Sequence, residues 1–464
     1  MSDLYSLGFK GQVFTPSSPE YDSARDRYPK NAVLKPSYIV QPTSAQDVPL
    51  AIKFALSQNP PLEVAIKGGG ANPYPASSSD GGLVIDLGNL KAVKVADDKQ
   101  SVSVGGGALW SDVYTETDKH GVVPVGGTVH FLGVGGVILA GGYSHLSGRH
   151  GLAVDNVLQA TVVLADGRVV ITNETEEPDL FWAIRGGVNQ FGVVTELVLK
   201  TYPLPGPMTT GALVYPGTEL QNVLAAWHNH LDNHHPSTKM MLVCARTPPD
   251  FRPSLLVLPY IENNATLPDS VLAPFRELAQ PSFESFTTVN SFLAVSHAGD
   301  QTLIDAPPRL HISGALISDL WDDVFSQAFD SWTQFTEDEA FRGSVLLWEF
   351  PHRDKVAEKK VEDMAFAARE KHYFFVVNAR YTLATEEVKA VEWASDLAGL
   401  VRKAQVEKTG KSLITPASFA LNPQTMMPEG IWGSNLPRLR ELKAKYDPQK
   451  VWSKGWVIEP DLRL

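Results

Sequence analysis

The sequence predicts an α+β protein with two or more domains, and three observations support this. The chain has 464 residues, which is too many for one compact hydrophobic core. Short apolar, β-branched runs such as LVIDL at 83–87 and SVSVG at 101–105 are typical of strands. In contrast, residues 386–403 repeat apolar side chains at helical spacing, which predicts an amphipathic helix.

The remaining elements follow from the same two periodicities. The Asp166-Gly167 pair lies between β-branched runs and predicts a hairpin with a two-residue turn. Thr43 or Ser44 is the predicted cap of the first long helix. The predicted elements are, in chain order, a strand and a helix within 37–56, strands at 62–66, 83–87 and 101–105, a hairpin at 160–172, strands at 193–202, 344–350 and 373–383, a helix at 386–403 and a charged helix within 436–452.

Composition and charge restrict the classes of partner. The net charge of −12 argues against nucleic acid or an anionic membrane surface, so we expect a small-molecule substrate and a monomer or weak homo-oligomer. The sequence has no apolar run of about 18 residues and no basic, apolar leader at its start, which predicts a cytoplasmic protein without a membrane span. A single cysteine, Cys244, excludes an internal disulfide and a cysteine-based metal site.

The placement of glycine carries the main functional signal. Glycine occurs where the backbone takes positive φ or contacts a ligand, and successive bare N–H groups can hold a pyrophosphate. Tight turns of a strand-rich fold are the alternative explanation for any one pair, but the density of the clusters favours ligand binding. The clusters are Gly68–Gly70, Gly105–Gly107, Gly126-Gly127, Gly133, Gly135-Gly136, Gly141-Gly142, Gly186-Gly187 and Gly192.

Several common motifs do not match. GVGGVILAGG at 133–142 lacks the spacing of a dinucleotide fingerprint, and Gln405 occupies the glycine position that a phosphate loop ending at Gly410-Lys411-Ser412 requires. The histidines between 228 and 235 have no paired acid or evident fourth ligand. We interpret them as a solvated helix end and predict no metal site.

The order of the glycine motifs and their neighbours resembles the FAD-linked oxidoreductases of the vanillyl alcohol oxidase and berberine bridge enzyme type, with a hydroxynicotine oxidase-like pattern. The resemblance extends over about 21–203 and 436–452. The stretches that carry it include PSYIVQPTSAQDV, IKGGGAN, SVSVGGGALWSDVY, GVGGVILAGGYSHLSGRHGLAVDNV, EPDLFWAIRGGVNQFGVVTE and RLRELKAKYDPQKVW.

This resemblance implies a two-lobed FAD-binding domain at 1–205, completed by a C-terminal return at 426–464. An inserted α+β substrate domain of antiparallel sheet and helices occupies 206–425. The residues that it places around FAD are Lys67, Gly68, Gly69, Gly70, Ala71, Asn72, Gly127, Thr128, Leu132, Gly133, Gly135, Gly136, Gly141, Gly142, Gly151, Leu152, Asn156, Gly192, Val194 and Trp456.

Two positions depart from the family pattern. Many members bind FAD covalently through a histidine in the first loop, and Ala71 occupies that position; many also use a cysteine in the second loop, where this chain has Val129. Neither a methyl group nor an isopropyl group can form such a bond. We therefore expect non-covalent FAD with a lower reduction potential.

Three side chains are candidates for proton transfer. Tyr143 aligns with a tyrosine that faces the flavin in relatives, although a tyrosine is also a common packing residue. His130 lies in the second loop; a histidine suits proton transfer but equally suits a hydrogen bond to a loop carbonyl. Glu349 lies on a strand that would face the flavin, with a surface or structural acid as its alternative role.

The sequence therefore predicts an FAD-dependent oxidoreductase that oxidises a small, aromatic or secondary-metabolite substrate by hydride transfer to flavin N5. The alternative is a redox-neutral cyclase or isomerase, pericyclase-like, on the same scaffold. A binding protein that has lost flavin is a third class, and the intact glycine loops argue against it.

Overall fold

A computed structural model describes residues 2–263, 267–300, 306–420, 422–424 and 426–463. Within these ranges the strands form three sheets, with four, six and seven strands. The strands are β1 (Gln12–Phe14), β2 (Tyr38–Gln41), β3 (Val64–Lys67), β4 (Leu83–Asp86), β5 (Val93–Val95), β6 (Ser101–Gly105), β7 (Val122–Pro124), β8 (Val157–Val163), β9 (Val169–Thr172), β10 (Val193–Pro203), β11 (Met208–Pro216), β12 (Thr238–Thr247), β13 (Arg252–Glu262), β14 (Phe283–Val289), β15 (Arg309–Ile317), β16 (Val345–Pro351) and β17 (Tyr373–Tyr381).

Helices and short turns connect the strands. Several helices are only one or two turns long. The α-helices in the described ranges are Ser2–Ser6, Tyr21–Arg25, Val48–Leu56, Trp110–His120, Val134–Leu139, Ser147–His150, Pro178–Ile184, Leu220–Asp232, Leu267–Glu277, Phe292–Ser296, Asp322–Phe335, Asp354–Ala357, Glu387–Thr409, Glu429–Trp432 and Leu436–Tyr446.

The first sheet has the order β1-β2-β4-β3, in which β2, β4 and β3 are parallel. Helix Val48–Leu56 connects β2 to β3, as a parallel crossover requires. The predicted strand and helix in 37–56 are confirmed. The helix entry is fixed by Asp47, whose carboxylate accepts hydrogen bonds from the backbone N–H groups of Thr43 and Ser44.

The second sheet has the order β5-β6-β10-β8-β9, and β7 pairs with the far end of β10. The predicted hairpin is confirmed as β8 and β9, but its turn is longer than two residues. The strands end at Val163 and resume at Val169, and Leu164 N donates to Arg168 O across the loop. Gly167 has a φ of 87° in this loop, which explains the glycine there.

The third sheet is antiparallel, with the order β14-β11-β13-β12-β16-β17-β15. Helix Glu387–Thr409 packs on β15 and β17, and it is longer than predicted because Gly410, with a φ of 71°, ends it. The α+β fold class is confirmed. The boundary at 205/206 falls between β10 and β11 and stays a prediction, and residue 425, at the second boundary, lies outside the described residues.

No helix within the described ranges combines the length and the apolar character needed to cross a bilayer.

A buried ion pair attaches the C-terminal segment to the first part of the chain. Lys443 Nζ lies 2.7 Å from Asp447 Oδ2, and both side chains are fully buried. The same ammonium donates to the carbonyls of Gln190, at 2.8 Å, and Trp452, at 3.0 Å. Burial lowers the pKa of Lys443, and Asp447 opposes that effect. Hydrogen bonds to both charges offset the cost of burying them.

We expect Lys443→Met to lower the free energy of unfolding by about 3–5 kcal/mol, because it leaves Asp447 buried without its cation. Chemical denaturation of the holoprotein measures this loss. Lys445→Met is the matched control, since Lys445 is half-exposed and pairs with Asp179 at the surface. Equal effects of the two substitutions would contradict a special role for Lys443.

Candidate active site

A cleft of about 450 Å³ lies where two glycine-rich loops meet the antiparallel sheet. The loop after β3 contributes Gly68–Asn72, and the loop after β7 contributes residues between Gly127 and Gly136. The opposite side comes from β12, β15, β16 and β17 together with residues 417–419. The cleft therefore has one wall of bare backbone and one wall of side chains.

The backbone wall depends on a close contact between the two loops. A Cβ built on Gly69 would lie 2.5 Å from Gly133 N, and one built on Gly133 would lie 2.4 Å from Gly69 N. No side chain is tolerated at these distances, so both positions require glycine for steric reasons. Gly136 is different, because a Cβ there would meet nothing within 4 Å and would point into open space.

Most residues predicted to surround FAD line this cleft. They come from segments that are distant in sequence, which the two smaller sheets bring together. The lining residues among those predicted are Gly68, Gly69, Gly70, Ala71, Asn72, Gly127, Thr128, Leu132, Gly133, Gly135, Gly136, Gly142, Gly192, Val194 and Trp456.

The other predicted cofactor residues lie behind the wall or beside it. Lys67 Nζ is 3.1 Å from Asp86 Oδ2 and faces a neighbouring cleft. Gly141 packs under the ring of Phe366, which a Cβ would approach to 2.3 Å. Leu152 is fully buried in an apolar cluster. These residues pack behind or beside the cleft wall. The sequence motifs did not show which residues would line the cleft and which would pack behind it.

Gly151 and Asn156 belong to the same supporting layer. Asn156 Nδ2 donates to Leu152 O at 2.8 Å, and Tyr202 donates to Asn156 Oδ1. A Cβ on Gly151 would lie 2.7 Å from a carboxylate oxygen of Asp155. Asp155 itself forms a buried ion pair with Arg369 at 2.7 Å, which joins this layer to the segment before β17.

Tyr143 lines the cleft and makes a hydrogen bond that the sequence did not indicate. Its phenol lies 2.6 Å from His372 Nε2, and His372 Nδ1 lies 2.6 Å from the carbonyl of Glu370. Because a carbonyl only accepts, Nδ1 carries the imidazole hydrogen and Nε2 accepts from the phenol. Burial raises the pKa of Tyr143 well above its usual range and lowers that of His372 to about 4. Both groups are therefore neutral near pH 7.

Aromatic side chains surround Tyr143 on the side-chain wall. The Tyr143 ring lies 4.7 Å from that of Phe374 and 5.5 Å from that of Phe419, and Phe374 and Phe419 stack at 4.6 Å. Ile312 and Trp456 also line the cleft. The Trp456 indole N–H donates to Ala420 O, so its ring presents an apolar surface. This wall suits an apolar or aromatic ligand.

Glu349 lines the cleft as predicted and forms an ion pair with Lys239, which also lines it. The two side chains come from neighbouring strands, β16 and β12. Lys239 is almost fully buried, and its ammonium lies 5.9 Å from the ring centroid of Phe374. The pair places an ammonium that can act as an acid, Lys239, and a carboxylate that can act as a base, Glu349, at one edge of the aromatic wall.

The structure does not place His130 in the cleft lining. Its Nε2 lies 3.0 Å from Asp300 Oδ1, and it is not among the described residues that line the cleft. Among the histidines near 230, His228 is partly exposed and His235 is exposed, as a solvated helix end requires, but His230 is buried and burial lowers its pKa to about 4.

Sequence reasoning missed several residues of the site, among them Lys239, His372, Phe374 and Phe419. Phe374 lies within a predicted strand, but strand period alone does not show which face meets the cleft. Lys239 precedes an apolar run, and a charge at the end of a strand usually faces solvent. Only the pairing of β12 with β16 shows that it does not.

The cleft has the features that FAD requires. Its backbone wall suits a pyrophosphate, and Lys239 is the only cationic side chain among the described lining residues. Ser418 lines the cleft, and its buried hydroxyl has no hydrogen-bond partner among the described residues. An unpaired buried hydroxyl of this kind is expected where a polar ligand group completes the site.

Comparison with known proteins agrees with this geometry. Residues 36–173 match the family described as FAD binding domain, and residues 416–454 match the family described as Berberine and berberine like. The FAD-linked oxidoreductase pgmH of Aspergillus terreus is 27% identical over 96% of this chain and 92% of its own length. The (R)-6-hydroxynicotine oxidase of Paenarthrobacter nicotinovorans is 26% identical over 98% of both chains. The crystal structure of 6-hydroxy-D-nicotine oxidase from Arthrobacter nicotinovorans superposes with a TM-score of 0.85 at 23% identity, covering 98% of this chain and 99% of that one.

We expect Gly69→Ala to destabilise the holoprotein by about 2 kcal/mol and to weaken FAD retention by at least about tenfold, because the methyl group forces the two glycine loops apart. Thermal unfolding and flavin titration of the apoprotein measure the two effects. Gly206→Ala is the control, since a Cβ there meets nothing within 4 Å. Normal FAD binding by the Gly69 variant would show that the contact is not required.

Proposed function

We propose that this chain, which belongs to the FAD-linked oxidoreductases of the vanillyl alcohol oxidase and berberine bridge enzyme type, oxidises a small aromatic or otherwise apolar metabolite that carries a hydroxyl or amine group. FAD supplies the hydride acceptor when it is bound. The observation that carries the proposal is the hydrogen bond from Tyr143 to His372 at the aromatic wall of the cleft. The family acts on small-molecule substrates; the proposal adds that this substrate is aromatic or apolar and carries a hydroxyl or amine group.

We further propose that FAD is bound non-covalently. Ala71 lines the cleft, and its methyl group cannot bond to a flavin; Val129, at the second linkage position, has no nucleophile either. The described residues that line the cleft include no histidine and no cysteine. Cys244 is buried in the hydrophobic core of the third sheet.

Acid precipitation tests the linkage. We expect the yellow colour of the purified holoprotein to remain in the supernatant, because non-covalent FAD dissociates when the protein unfolds. Absorbance spectra of supernatant and pellet measure the partition. A pellet that stays yellow after washing in denaturant would contradict the proposal and would point to a bond outside the two family positions.

The Tyr143 phenol has a defined role in this proposal. Its hydrogen points towards His372, so its oxygen lone pairs remain available to accept a hydrogen bond from a substrate hydroxyl or amine. This arrangement selects substrates that carry a donor next to the bond to be oxidised. A neutral phenol avoids a buried charge in an apolar site.

His372 is the second group that takes part in proton transfer. A substrate hydroxyl becomes strongly acidic as its carbon loses hydride, so a weak base is sufficient to take the proton. Tyr143 receives that proton while its own proton moves along the existing bond to His372 Nε2. Transfer between two groups that are already hydrogen-bonded requires no rearrangement of the site.

We expect Tyr143→Phe to slow anaerobic flavin bleaching by about 100-fold or more, since it removes the group that accepts the substrate proton. The probes are aromatic alcohols and amines, including (R)-6-hydroxynicotine, mixed rapidly with the holoprotein. Tyr215→Phe is the matched control, because the Tyr215 phenol is also buried but donates to Phe275 O in the core of the third sheet. Wild-type bleaching rates in the Tyr143 variant would exclude this role.

A redox-neutral cyclisation or isomerisation is the second candidate function. The Lys239–Glu349 pair favours it, because an acid and a base at one edge of an apolar cleft can promote proton transfer without oxidation. The same anaerobic experiment separates the two functions. Turnover without bleaching and without a change in product mass would support the second, and a protein that does not bind added FAD would exclude both.

A further inference from the structure

His130, His297 and Asp300 form a compact cluster outside the cleft. The donor atoms of the three side chains all lie within 4.8 Å of one another. His130 Nε2 is 3.0 Å from Asp300 Oδ1, and His297 Nδ1 is 2.6 Å from Asp300 Oδ2. We propose that this cluster binds a divalent transition-metal ion, with Zn²⁺ as the representative ion.

The donor set and its spacing suit such an ion. Two imidazole nitrogens and one carboxylate are a common set of protein ligands for zinc when a fourth position is left open. Bond lengths of about 2.0–2.1 Å place neighbouring ligands of a tetrahedral ion roughly 3.3 Å apart. The two nitrogen–oxygen distances, 3.0 and 2.6 Å, are shorter than or near that separation and run to different oxygens of Asp300. Because the two rings are stacked and each lone pair lies in its ring plane, the rings must turn from this arrangement for both nitrogens to face one ion.

The imidazoles can supply the required lone pairs. Without the ion, each nitrogen that faces Asp300 carries the hydrogen that it donates to the carboxylate. With the ion, each ring carries its hydrogen on its other nitrogen, which is an ordinary tautomeric change. The carboxylate then provides the negative charge that a neutral histidine cannot.

Aromatic contacts hold His130 close to His297. Its ring stacks on His297 with the centroids 3.8 Å apart, and the edge of Phe131 contacts it at 5.3 Å. All three ligands remain partly exposed, with 22% of the His130 side chain, 42% of His297 and 27% of Asp300 accessible. The ion therefore has a route of entry from solvent, and water can occupy the fourth position.

The site joins two separate parts of the chain. His130 belongs to the second glycine loop, whose residues Thr128 and Leu132 line the cleft. His297 follows helix Phe292–Ser296, and the first turn of this helix is capped by Asp118, which accepts from Phe292 N at 3.1 Å. A bound ion would join the loop that lines the cleft to the segment after this helix.

Equilibrium dialysis of the FAD-loaded protein against ZnCl2, followed by metal analysis, tests the proposal. We expect about one zinc ion per chain and a loss of affinity of at least about tenfold in His297→Ala and in Asp300→Asn. His228→Ala is the control, because the His228–Asp322 pair is similarly exposed but has only two ligands. The flavin spectrum reports whether each variant is folded.

Cobalt substitution provides a second measurement. Co²⁺ bound by these three side chains and water should show the intense visible bands of a four-coordinate ion, and Asp300→Asn should abolish them. Absence of bound zinc, or zinc binding that both cluster substitutions leave unchanged, would overturn the proposal. So would equal losses in the His228 control, because they would indicate adventitious binding at the surface.

Discussion

The contact between the backbones of Gly69 and Gly133 is the constraint on which the cleft depends. The two loops approach so closely that a single methyl group at either position would overlap the other chain. This approach brings together the loops that follow β3 and β7, although the two strands belong to different sheets. The resulting wall has little side-chain bulk, so a flat cofactor with a charged linker can lie directly on main chain.

The opposite wall follows a different physical rule. Strands of the antiparallel sheet direct alternate side chains towards the cleft, and those side chains are aromatic or aliphatic near Tyr143. Burial keeps Tyr143 and His372 neutral, while Lys239 and Glu349 neutralise each other. The cleft therefore gathers polar atoms without a net charge, which suits an apolar substrate that is oriented by one or two hydrogen bonds.

Two buried ion pairs fix the relative positions of the segments that form the cleft walls. Asp155–Arg369 joins the layer behind the glycine wall to the segment that leads into β17, where His372 lies. Lys443–Asp447 fixes the C-terminal segment against Gln190, close to the lining residues Val188 and Asn189. Asp155 and Arg369 are far apart in the chain, whereas Lys443 and Asp447 are only four residues apart and reach a distant segment through the hydrogen bond from Lys443 to Gln190 O. Each pair has additional hydrogen bonds that reduce the cost of its burial.

The sequence by itself indicated the fold class, most of the residues that line the glycine-rich wall of the cleft, and side chains without a nucleophile at Ala71 and Val129. Glycine at close backbone contacts and the chemistry of a side chain are local properties, visible in residue type and spacing. The sequence did not separate Leu152 or Gly141, which support the wall, from neighbours that line it. Only the tertiary structure decided that Tyr143 meets His372, that Lys239 pairs with Glu349 and that His130 faces Asp300. The physical reason is that these contacts depend on strand register and on the packing of distant segments. The hydrophobic periodicity of one sequence segment specifies neither of them.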